Sequence, residues 1–107
     1  MNEYIEVADL KDLDDTEGKP IKIKNLALAL FKLPSGEVYA IEDSCPHIGA
    51  PLHNGLIENG HVTCLWHSWC FNLDTGESSN CPGVKIKTYT TKIKDGKVFL
   101  KDSDLTI

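Results

Sequence analysis

Cys45-Pro46-His47-Ile48-Gly49-Ala50-Pro51-Leu52, and then Cys64-Leu65-Trp66-His67 with 16 residues between His47 and Cys64, decide how this chain is read. Each stretch brings one thiol and one imidazole. Two soft thiolates with two imidazoles are the donor set of a metal centre. Pro46 fixes its own φ, and Gly49 and Gly55 permit tight reversals, so residues 45–55 read as a structured loop rather than a strand. A structural zinc site also takes two Cys and two His. Zinc ligands more usually arrive as a Cys pair followed by a His pair, so one donor of each kind in each stretch counts against zinc.

With its flanks, the pattern resembles the two binding boxes of Rieske [2Fe-2S] domains. The boxes are C-x-H and C-x2-H, and residues 66–76 carry Trp66, His67, Trp69, Phe71, Thr75 and Gly76 in the W-H-x-W-x-F-x-x-x-T-G run of soluble Rieske proteins. The similarity spans about residues 37 to 101. It implies one [2Fe-2S] cluster, with Cys45 and Cys64 on one iron and His47 and His67 on the other. It also implies that the distal ring nitrogens of both His face solvent, coupling their proton affinity to redox state. A third loop at Pro82-Gly83 would cover one side of the cluster. Mixed ligation leaves the oxidised cluster neutral, which eases reduction relative to four thiolates.

Departures from the family pattern carry information too. Respiratory Rieske subunits have an extra Cys in each box, joined as a disulfide, and those positions here are Ala50 and Trp66. The bridge cannot form, and a cytoplasmic protein is the consistent expectation. High-potential members place a Ser and a Tyr hydroxyl against cluster sulfurs where this chain has Trp69 and Phe71. The resemblance therefore implies a centre near the low, roughly -150 mV, end of the Rieske range. Ser68 stands where Gly is common, which bears on the local backbone of the second loop. Trp66 and Trp69 read as cover and packing.

Composition narrows the remaining classes. A chain of 107 residues is one domain with one modest core, 1–107, with a cluster-binding lobe over about 44–83. Met1-Asn2-Glu3-Tyr4-Ile5-Glu6 lacks the basic and apolar regions of a signal peptide. The longest purely apolar run, residues 26–31, is far short of a membrane span. Net charge is -5 and Arg is absent, so the planar fork that reads phosphates and base edges is missing and nucleic acid is not expected as a partner. The first 18 residues hold seven acids against Lys11, residues 84–101 hold six Lys against Asp95, and between Ser44 and Gly83 there is no Lys or Arg, only Glu58, Asp74 and Glu77.

The rest of the pattern is strand. Lys19-Pro20-Ile21-Lys22-Ile23-Lys24 and Lys97-Val98-Phe99-Leu100-Lys101 alternate with period two, and residues 38–41 are β-branched and aromatic. Pro34-Ser35-Gly36, Asn59-Gly60 and Asp95-Gly96 mark hairpin turns. The spacing predicts an all-β fold, an antiparallel sandwich or small-barrel base carrying the loop-rich lobe as an insertion. Residues 7–13 are the single helical candidate, with Asp9 as its cap. The apolar phase slips between Ile86 and Tyr89, which predicts a bulge. Cys70 and Cys81 are expected as small buried hydrophobes without a mutual disulfide. His53 and His61 lie outside the motif spacing and are expected at the surface.

Four ligands on two irons leave no open position for substrate, so no catalytic residue is assigned and the chain should move electrons. The expected role is a Rieske-type ferredoxin, a monomer that takes electrons from an NAD(P)H-dependent flavin reductase and delivers them to a terminal oxygenase of the aromatic-ring-hydroxylating type. The small subunit of an assimilatory NAD(P)H nitrite reductase is the alternative within the same fold. A zinc-stabilised binding module is the alternative from another class.

Overall fold

The computed structural model describes residues 3–45, 49, 51–64 and 69–105. Its strands are β1 (Tyr4–Asp9), β2 (Lys19–Ile23), β3 (Leu26–Lys32), β4 (Val38–Glu42), β5 (Leu56–Glu58), β6 (His61–Thr63), β7 (Cys70–Asn72), β8 (Thr88–Tyr89), β9 (Thr91–Lys94) and β10 (Lys97–Lys101). They pair antiparallel in three sheets, ordered β2-β3-β4-β8, β1-β10-β9 and β5-β6-β7. The fold is all-β, as the alternation of the sequence requires.

The apolar run in β3 sits at the centre. Leu28, Ala29, Leu30 and Phe31 are each 0% exposed, because this strand is covered on both faces. Leu28 and Leu30 pack with Val98 and Leu100 of β10, whose own pattern alternates buried and half-buried. Ala29 and Phe31 point the other way, into a second apolar cluster with Ile41, Leu52, Phe71 and Ile86. A strand with one wet face would alternate, whereas one sandwiched between two cores reads as continuous apolar sequence. Sheet β1-β10-β9 closes the first core, and sheet β5-β6-β7 with its loops closes the second.

Turn chemistry sets the registers. Asn59 and Gly60 have φ of 50° and 75°, and Asp95 and Gly96 of 52° and 74°, the left-handed pair a two-residue hairpin demands. Lys24 and Asn25, at 51° and 67°, make a third such turn between β2 and β3. Asn25 alone signals it, because Lys24 carries no preference for positive φ.

Three expectations are corrected. Residues 7–13 are helical only in part: β1 runs through Asp9 and pairs with β10, and a short 3-10 turn follows at Leu10–Asp12 with Asp9 in its N-cap position. Asp9 makes no side-chain cap there, and its carboxylate instead accepts from Lys97 Nζ at 3.1 Å. Secondly, the slip between Ile86 and Tyr89 is a change of core, Ile86 packing with Phe31 and Phe71 and Tyr89 with Leu28 and Leu30, and the chain changes sheet just after it. β8 pairs with β4 while β9 pairs with β10, and Thr90 between them donates its N–H to Asp104 Oδ2 at 2.9 Å and accepts from Lys101 N–H at 3.2 Å. The bulge occurs in β1, between Glu6 and Ala8. Thirdly, Cys70 and Cys81 are half-buried thiols, not core residues.

Candidate metal centre

Cys45 follows β4 directly. Asp43 N–H donates to Ala27 O at 3.0 Å, extending the β3–β4 ladder to within two residues of the thiol. The chain then leaves the sheet, and Gly49, with φ of 78°, donates its N–H to Cys45 O at 2.7 Å. The loop re-enters the core at Leu52, which is 0% exposed. Asp43 Oδ1 accepts from the N–H groups of Leu52 and His53 at 2.7 and 2.8 Å.

Cys64 directly follows β6, and its N–H donates to Trp69 O at 2.8 Å, one step beyond the β6–β7 ladder. Hairpin β5–β6 supports it from the other side. That approach needs Gly55: a Cβ there would lie 2.5 Å from Thr63 O and 2.8 Å from Val62 Cγ2. The third loop is tied to β7 through Ser79 N–H to Cys70 O at 2.9 Å and closes on itself through Val84 N–H to Cys81 O at 3.2 Å. Gly76 permits its return strand to come close, since a Cβ at this φ of 80° would meet Ile86 O at 2.2 Å.

The two thiols thus arrive from separate parts of the chain into one place. Cys45 and Cys64 are both 0% exposed and both belong to the apolar cluster of Phe31, Leu52 and Phe71, with Trp69 packed against it. Two soft sulfur donors in a water-poor apolar pocket suit an iron–sulfur centre, whose thiolates are stabilised by the metal and shielded from solvent. His47 and His67, with Pro46, Ile48, Ala50, Trp66 and Ser68, lie outside the described residues. Accordingly, no group of three His, Cys, Asp or Glu side chains is assembled among the described residues.

The two other His take defined roles. His61 Nδ1 stands 2.9 Å from Asn59 O across the β5–β6 turn. His53 is more than a surface residue: its Nδ1 stands 2.7 Å from Asp43 Oδ2, and its carbonyl accepts from Gly18 N–H at 3.0 Å. Sequence reading passed over Asp43, although an Asp immediately ahead of a Pro- and Gly-bearing loop is a known loop-capping signal.

A model of the Rieske [2Fe-2S] domain matches residues 3–90. This chain belongs to that family. Its cofactor is accordingly a [2Fe-2S] cluster, and the buried thiol pair fits it. Human apoptosis-inducing factor 3 is 35% identical over 98 residues, which cover 91% of this chain and 16% of that protein, so the chain spans a small part of this relative. The ferredoxin component of naphthalene 1,2-dioxygenase/salicylate 5-hydroxylase systems from Ralstonia sp. is 32% identical over 99 residues, covering 92% of this chain and 94% of the relative. A crystal structure assigned as the small subunit of an NADPH nitrite reductase superposes with a TM-score of 0.84 at 25% identity, over 91% of this chain and 96% of that one. Among the described residues no helix is long and apolar enough to cross a membrane.

Proposed function

We propose that this Rieske domain is a one-electron carrier whose cluster is held by Cys45, His47, Cys64 and His67. The observation that carries the reading is the convergence of Cys45 and Cys64, both wholly buried, from two hydrogen-bonded loops into one apolar cluster. When bound, a cluster with two thiolate and two imidazole ligands supplies a one-electron site of higher potential than an all-thiolate one. The protein's part is positional. The β3–β4 ladder fixes Cys45, the β6–β7 hairpin fixes Cys64, and Leu52, Phe71 and Trp69 keep water from the sulfur side. The chain itself catalyses no substrate reaction on this reading.

The proposed donor is an NAD(P)H-dependent flavin reductase and the proposed acceptor a terminal oxygenase. Support comes from the full-length likeness to a dioxygenase-system ferredoxin component, 94% of which is covered. The nitrite reductase small subunit is the second reading, favoured by the structural likeness to such a subunit. Steady reduction by a flavin reductase followed by reoxidation on an oxygenase supports the first. Stable association with a sirohaem-bearing subunit supports the second. We place the protein in the cytoplasm, in keeping with the unbridged thiols Cys70 and Cys81.

The ligand assignment is tested directly. Purified protein should hold two iron and two acid-labile sulfide per chain, as a [2Fe-2S] cluster requires, and give a rhombic EPR signal on reduction. Single changes of Cys45, His47, Cys64 or His67 to Ala should abolish or damage the cluster. Stoichiometric zinc without sulfide would overturn the assignment in favour of a binding module.

A further inference from the structure

One polar contact near the centre is unlike the rest. The Asp43 side chain is 8% exposed and takes three donors: Leu52 N–H and His53 N–H on Oδ1, at 2.7 and 2.8 Å, and the His53 ring on Oδ2, at 2.7 Å. A carboxylate facing an imidazole accepts, so the ring Nδ1 carries the hydrogen. The backbone of Asp43 is itself held by β3 through Ala27 O at 3.0 Å, and the carbonyl of His53 is held by Gly18 N–H at 3.0 Å. Both ends of residues 44–51, the segment that carries Cys45 and His47, are therefore joined by one carboxylate to fixed parts of the fold. A loop cap needs one or two such bonds. The third, from His53, orients the carboxylate so that a single oxygen can take both backbone donors.

We propose that Asp43 and His53 form a clamp that positions the first ligand loop, Asp43 by closing it and His53 by orienting Asp43. The proposal rests on Cys45 being a ligand, as argued above. A loop closed at its base samples fewer conformations, and its thiolate is presented to the metal at less entropic cost. The consequence is kinetic and spectroscopic: loosening the base should open the centre to attack while leaving the two apolar cores intact.

The test uses the full chain carrying its cluster, kept anaerobic. Iron loss to a ferrous chelator after reduction, visible circular dichroism and EPR line shape are measured beside the thermal midpoint. Asp43→Ala should lose iron about tenfold faster than the unaltered protein, the scale of one charge-assisted hydrogen bond. His53→Ala should lose it several-fold faster. Asp43→Asn, whose amide oxygen still accepts from Leu52 and His53, should fall between Asp43→Ala and the unaltered protein. Leu30→Ala, which loosens the core on the other face of β3, is the control: it lowers the midpoint without hastening iron loss. The clamp is refuted if His53→Ala and Asp43→Asn lose iron no faster than Leu30→Ala and show unaltered dichroism. Should Asp43→Ala not fold, those two variants decide by the same criterion. If Cys45→Ala keeps an unaltered cluster, the ligand assignment has failed instead.

Discussion

Adjacent residues of β3 should separate the stability of this protein from the integrity of its metal centre. Leu30 and Phe31 are both 0% exposed, but Leu30 packs against the core closed by β10 and Phe31 against the one that holds Cys45 and Cys64. Leu30→Ala and Phe31→Leu each delete three carbons, so at about 0.8 kcal/mol per buried carbon each should lose about 2.5 kcal/mol before any cavity is counted. For a domain of this size that lowers the thermal midpoint by roughly 10 to 20 °C. Backbone unfolding, followed by far-ultraviolet dichroism, should therefore shift by similar amounts in the two variants. The chromophore should not behave alike. Phe31→Leu should alter the visible dichroism and speed cluster loss at temperatures where the protein is folded, partly because the ring also fills the space against Gly18, whose Cβ position lies 2.6 Å from Phe31 Cε1. Leu30→Ala should leave the chromophore untouched until the fold melts. If the two variants bleach equally while folded, β3 does not divide the molecule into two independently packed faces.

Three further outcomes follow from the same geometry. Wild-type potential should lie near the low end of the Rieske range, and Phe71→Tyr, at a fully buried position in the cluster of the two thiols, should raise it by roughly 40 to 90 mV if its hydroxyl bonds a sulfur at about 1 to 2 kcal/mol. Voltammetry decides this, and an unchanged potential in a folded, cluster-replete variant would mean that residue 71 does not face a sulfur. Residues 45–82 carry no Lys or Arg and expose Leu56 at 65%, so a partner with an apolar centre and a cationic rim should fit, and stopped-flow electron transfer should slow as salt rises from about 10 mM to about 1 M; a flat salt profile would remove the electrostatic part. Asp104, whose carboxyl is held below its ordinary value first by the Thr90 N–H and then by the charges of Lys101 and Lys87, contributes stability that is present above the unfolded carboxyl value near pH 4 and is lost as pH falls through the lower folded value. Asp104→Asn should thus reduce stability at neutral pH by up to about 1 kcal/mol and flatten the acid limb of the denaturation curve.

How much of this was legible in the sequence depended on whether the signal was local. The Asn59-Gly60 and Asp95-Gly96 hairpins read directly, because two adjacent residues fix the turn and period-two alternation fixes the strands beside it. The candidate helix at residues 7–13 was right only in the short turn after Asp9: residues 7–9 are strand, because their alternation is weak and the partner of Asp9, Lys97, lies 88 positions away. The slip between Ile86 and Tyr89 was a true signal given the wrong local cause: Ile86 and Tyr89 enter different cores, and a change of core looks like a bulge to the alternation alone. Of the two proposed ligand boxes, the thiols Cys45 and Cys64 lie together in one buried cluster, while His47 and His67 lie outside the described residues. Asp43 and His53 were not legible, because an Asp is an ordinary residue until its three donors are brought to it by the fold.

The same division explains how such a base can carry different partners. Sheet β2-β3-β4-β8 gives one face to sheet β1-β10-β9 and the other to the thiols, so the sandwich on the first face can be stabilised by interactions that never touch the centre. On the second face, each of the three loops is closed by its own backbone bond: Gly49 to Cys45, Cys64 to Trp69, and Val84 to Cys81. Separate closure means that side chains at the tips can change without reopening the loops, because none of these bonds depends on a tip side chain. On the proposed ligand assignment, substitutions at the loop bases are expected to change cluster retention. A substitution that alters transfer rates with one partner while leaving iron content and dichroism unchanged belongs to the tip. One that alters both belongs to the base, where Asp43 and His53 stand.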